Sequence, residues 1–120
     1  MSLSSVQQVR TWSRSCDVAV HVYRILNDIT DRNFAERVIQ NAFTIPEGVA
    51  AAFNPHRYTQ QRDALCRSLE ALAVLQTQLY LACECGLLKI DQMSILCNEA
   101  ADLSADLQSQ QGAETSSGAA

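Results

Sequence analysis

Leu65-Cys66-Arg67-Ser68-Leu69-Glu70-Ala71-Leu72-Ala73-Val74-Leu75-Gln76-Thr77-Gln78-Leu79-Tyr80-Leu81-Ala82 is the stretch that decides the fold. Leu65, Ser68, Leu72, Leu75, Leu79 and Ala82 recur in it at 3-4-3-4-3 spacing, which draws one seam along a helix and would scatter over both faces of a strand. The predicted helix opens near Thr59 and stops at Gly86, a residue suited to the left-handed conformation that ends helices. Val74 and Leu81, seven apart, lie about 130–150° around from this seam, among Asp63, Arg67 and Glu70. They cannot face the same core as the leucines.

The helical period continues outward in both directions. Upstream, Trp12, Cys16, Ala19, Tyr23 and Leu26 form a 4-3-4-3 seam in a helix expected from about Ser5 to Ile29. A second stripe, Val18, Val22, Ile25 and Ile29, lies about 110° around the same helix, so its apolar face is wider than one bundle core requires. The next helix is capped by Thr30 or Asp31, carries Phe34, Val38, Ala42, Ile45, Val49 and Ala52 inward, and ends near Asn54-Pro55. Pro46 falls inside it and predicts a kink or a division into two shorter helices. Downstream, Asp91 is the expected cap of a fourth helix, with Ile90 and Ile95 at staple positions and Met93, Leu96, Cys97, Ala100, Leu103 and Leu107 inward.

Short connections force sequential helices antiparallel. The expected fold is all-α, a single up-down-up-down four-helix bundle over residues 1–108 with helix 2 kinked at Pro46. Residues 109–120, rich in Gln, Ser, Gly and Ala, are expected to be a flexible polar tail.

Composition limits function. The 120 residues suffice for one core, and no window approaches the roughly 18 apolar residues of a membrane span. The first eleven residues lack the features of a secretory signal, and five cysteines at irregular spacing fit reduced thiols, so a cytoplasmic location is expected. A net charge of −4 without a run of Lys or Arg argues against nucleic acid as the default partner.

Thr44-Ile45-Pro46-Glu47-Gly48-Val49-Ala50, followed by Thr77-Gln78-Leu79 and Gly86-Leu87-Leu88, resembles the bacterial four-helix bundle family named for intervening-sequence proteins of 23S ribosomal RNA genes. The resemblance implies a bundle assembled into a cylindrical homopentamer. A related branch, the accessory proteins of diversity-generating retroelements, engages nucleic acid through a basic exterior that this acidic chain lacks. Departures from the family pattern fall at Gly48, Ala51, Ala52, Ala71 and Val74, where the family carries Asn, Glu, Gly, Ser and Glu. Any site built on those carboxylates cannot be carried over.

No residues stand out for catalysis. Cys83 and Cys85, two apart on a helix, point about 200° away from each other and cannot share an ion. Neither His21 nor His56 has a Glu three residues before it, as a di-iron bundle requires, and His21 is expected to pair with Asp17 one turn away. Cys66 beside Arg67 is the one candidate for a reactive thiol. No metal, cofactor or enzyme activity is therefore expected.

The function read from the sequence is that of a non-enzymatic structural or interaction protein that self-assembles into a homo-oligomeric ring, pentameric if it follows the family, and presents it to an unidentified partner. Candidate interface residues are Val74, Leu81, Val18, Val22 and Ile25, and the Asn54, His56, Arg57 and Tyr58 loop is a candidate partner site on the rim. The alternative is a nucleic-acid-binding accessory protein of a ribosomal or retroelement complex.

Overall fold

Four helices, α1 (Val6–Leu26), α2 (Arg32–Ala52), α3 (Tyr58–Glu84) and α4 (Ile90–Ala119), account for the secondary structure of a computed structural model that describes residues 5–54 and 58–119. Side-chain surroundings are described for residues 5–54 and 61–111. Local chemistry fixes the helix ends. Ser5 caps α1 by accepting from the Gln8 amide at 3.1 Å, and Asp31 caps α2 by accepting from the Phe34 amide at 3.1 Å. α1 stops at Leu26, short of the expected Ile29, because Arg32 supplies donors to the carbonyls of Asn27 (2.9 Å) and Ile29 (3.2 Å) in the turn.

α3 ends in a Schellman turn on Gly86, whose φ is +78°. The Leu87 amide reaches back to the Ala82 carbonyl at 2.8 Å and the Gly86 amide to Cys83 at 3.0 Å. α4 then begins two residues before the expected position. Its cap is Lys89 rather than Asp91, with the Gln92 side chain folded back to accept from the Lys89 amide at 3.1 Å. The staple positions consequently pass to buried Leu88 and half-buried Met93, leaving Ile90 and Ile95 exposed.

Each helix packs only on its neighbours around a square: α1 on α2, α2 on α3, α3 on α4 and α4 back on α1, with no diagonal contact among the described residues. This is the up-down-up-down bundle, elongated to 50 × 22 × 22 Å. The expected α3 seam, Leu65 to Ala82, is wholly buried, as are Leu96, Ala100, Leu103 and Leu107 of α4. α2 passes Pro46 as one helix rather than two. α4 continues to Ala119, and Gln111 Nε2 donates to Cys66 Sγ across the α3–α4 seam at 3.2 Å. Gly112 costs a helix only about 1 kcal/mol, too little to end it.

α1 is rotated relative to expectation. Its core face is Thr11, Ser15, Val18, Ala19, Val22 and Leu26, so two small polar residues occupy positions that an apolar pattern skips. Ser15 satisfies its hydroxyl on the Trp12 carbonyl at 2.6 Å. Thr11, fully buried, has no partner for Oγ1. Thr11→Val removes that unpaired hydroxyl at nearly constant shape and is expected to stabilise the bundle by about 1 kcal/mol in chemical denaturation. A loss of stability would show that the hydroxyl is in fact bonded.

α2 and α3 approach each other closely at Gly48. A Cβ on Gly48 would stand 2.2 Å from Ser68 Oγ and 3.2 Å from the Ala64 carbonyl, and Ser68 Oγ donates to the Ile45 carbonyl at 3.0 Å. Gly48→Ala is expected to cost about 1–2 kcal/mol, because overpacking of about 1–3 kcal/mol exceeds a helix-propensity gain of about 1 kcal/mol. In a Ser68→Ala background the same change is expected to be less harmful by about 1 kcal/mol or more, read from urea titrations of the four variants. Equal costs in both backgrounds would contradict the close approach.

Candidate assembly interface

Val18 and Val22 of the stripe expected to leave α1 enter its core, while of the expected seam Ala19 and Leu26 stay buried and Tyr23 moves to the surface. Val18 is 5% exposed and Val22 0%, and Ile25 is half-buried against the core, so none of the three forms an outward stripe. This corrects their assignment as interface residues: the buried positions of Thr11 and Ser15 turn the helix so that Val18 and Val22 point inward. The same rotation carries Val9 (45% exposed), Val20 (41%) and Tyr23 (44%) to the surface, with Trp12 and Cys16 half-buried beside them. Val9, Cys16 and Tyr23 are spaced by seven, which makes the stripe continuous along the helix.

On α2 this stripe meets Phe43, exposed and in contact with the Tyr23 ring at a centroid distance of 6.3 Å and a tilt of 52°. The α1–α2 side of the bundle therefore carries an exposed apolar face. Phe43 was not expected at the surface; its position one residue off the Ala42 seam and four before Glu47 is the signal that places it there.

Val74 and Leu81, each 48% exposed, lie on the next side of the square. Val74 forms one wall of a groove of about 550 Å³ between α2 and α3, lined also by Asn41, Thr44, Gly48 and Ala71 and by the charged residues Glu47, Arg67 and Glu70. Asn41 spans it at one point, donating to the Ala71 carbonyl at 2.9 Å and to Gln78 Oε1 at 3.2 Å.

Two cross-helix contacts establish the relative heights of these faces. His21 Nδ1 sits 2.9 Å from both carboxylate oxygens of Glu99, and Gln76 Nε2 donates to the Cys97 carbonyl at 3.4 Å. Glu99 and Cys97 are two residues apart, about 3 Å along α4, as are Val74 and Gln76 on α3. Val20, next to His21, is thus level with Val74.

Polar groups elsewhere are arranged for structure. His21 pairs with Glu99 of α4, not with Asp17 as expected, and Arg14 pairs with Asp106 one turn-pair away on the same seam. Burial, then the Asp17 carboxylate, pushes the Cys16 thiol up from its usual range; burial, then Cys83, does the same to Cys97. Cys66 Sγ accepts from Gln111. In the rim loop, the Asn54 carbonyl accepts from Gln61 Nε2 at 2.8 Å, Tyr58 opens α3, and His56 and Arg57 lie outside the described residues. Among the described residues no group of three His, Cys, Asp or Glu could hold a metal ion, and no helix is long and apolar enough to cross a membrane.

Fold and surface together define a four-helix bundle whose α1–α2 side carries an exposed apolar stripe and whose adjacent α2–α3 side carries Val74 and Leu81 beside a largely polar groove. No protein-family model matches the chain, and no curated protein matches it.

Proposed function

We propose that the protein is a non-catalytic structural protein whose bundle assembles head-to-tail into a closed homo-oligomeric ring, the α1–α2 face of one subunit against the α2–α3 face of the next. The observation that carries this reading is the placement of the exposed α1–α2 apolar stripe and of exposed Val74 and Leu81 on adjacent sides of the square, sharing α2 and level with each other. A two-fold contact pairs a face with itself and leaves the other in water. Contact between the two different faces buries both, and such a contact must close into a ring to avoid open filaments. Because Val20 and Val74 are level, the faces meet without an axial shift and bundle axes stay parallel to the ring axis. Five subunits is the number implied by the resemblance to the intervening-sequence proteins. The ring would act as a scaffold presenting its outer surface and rims to a partner.

Light scattering tests the proposal. A pentamer has a mass of about 66 kDa, five times the 13.2 kDa of one chain. Leu81→Glu places a charge on the α2–α3 face and is expected to lower that mass while leaving helical circular dichroism intact, because Leu81 is half exposed within its own bundle. A monomeric wild type at high concentration, or outright loss of helix in Leu81→Glu, would refute the assembly.

A further inference from the structure

We infer that Glu36 of one subunit pairs with Arg37 of the next and sets the register of the ring. The inference rests on the head-to-tail reading above and names the polar contact that accompanies its apolar one. Glu36 precedes Phe43 by seven residues, so it stands on the side of α2 that carries the Tyr23–Phe43 contact, the α1–α2 face. Arg37 precedes Asn41 by four and Thr44 by seven, and both of those line the groove with α3, so Arg37 stands on the α2–α3 face. The two charges are opposite in sign, consecutive in the chain and therefore at one height, yet they belong to different faces of the bundle.

Among the described residues neither charge has a partner in its own subunit. Both side chains are exposed, and the ion pairs among the described residues are Arg14–Asp106 and His21–Glu99. Arg32, one turn before Glu36 and its natural helical partner, is instead engaged with the Asn27 and Ile29 carbonyls at the end of α1. Going around the square in chain order, contact between an α1–α2 face and an α2–α3 face brings α1 against α3 and α2 against α2. With no axial shift, the Glu36 edge of one α2 faces the Arg37 edge of the other. In a two-fold contact through the α1–α2 face, by contrast, Arg37 would remain outside the interface and could not meet Glu36 of the other copy.

Charge reversal tests the pair. Glu36→Arg and Arg37→Glu, each of which opposes like charges across every contact, are expected to raise the concentration at which half the protein is assembled by about tenfold or more. The combined swap, Glu36→Arg with Arg37→Glu, restores opposite signs and is expected to return that midpoint to within about threefold of wild type. Sedimentation across a dilution series gives the midpoints, and circular dichroism checks that each variant stays helical. Glu36→Gln, which removes attraction without adding repulsion, should weaken assembly less than Glu36→Arg. An assembled wild type whose single reversals change nothing, or whose double swap fails to recover, overturns the pair and leaves the ring standing. A wild type that is monomeric throughout overturns the ring and the pair together.

Discussion

The contact between Gly48 and Ser68 governs how α2 and α3 lie against each other, and most other features of the surface depend on it. Gly48 has no side chain, so the α3 backbone approaches near Ala64 and the Ser68 hydroxyl reaches the Ile45 carbonyl. That bond lands next to Pro46, where the helix has already lost the amide that would reach Ala42. A tertiary contact thus ties α3 to α2 beside the proline. About one turn earlier along α2, Asn41 donates to the Ala71 carbonyl, and the two bonds together fix the sliding register of α2 against α3.

Because α2 borders both faces, that register also sets how the faces align. Val74 is held level with Val20 through α4, and it is held beside Asn41 and Thr44 through the α2–α3 contact. A slide of one helical turn between α2 and α3 would shift one face against the other by about 5.4 Å and turn a flat ring into a spiral. The polar bonds buried in this seam contribute modestly to stability, each on the order of 1 kcal/mol. Their larger effect is to permit one alignment.

Much of the fold was legible in the sequence. The α3 seam from Leu65 to Ala82, the Asp31 cap and the Gly86 turn each rest on local chemistry that few other arrangements satisfy, and all three stand where they were expected. α1 was harder because it carries two apolar stripes, and hydrophobicity alone cannot say which one the bundle uses. Thr11 and Ser15 decide it: small polar residues enter the core there, and a pattern that reads polar as outward turns the helix the wrong way. The exchange of Val18 and Val22 for Val20 and Tyr23 follows from that one rotation. Val74 and Leu81 were legible because they share a helix with an unambiguous seam. The capping role of Gln92, which shifted the start of α4, depends on a side chain folding back on the backbone, and Asp91 offered a competing cap of the usual kind.

Disulfide trapping in a variant without its five native cysteines addresses the head-to-tail contact most directly. A Val20→Cys protein and a Val74→Cys protein, each alone under mild oxidation, should stay uncross-linked, whereas their mixture should give a covalent dimer. Both together on one chain should give a ladder that closes at the ring number. Covalent dimers from Val20→Cys or Val74→Cys alone would show a face meeting itself, and would contradict the assembly of two different faces around α2.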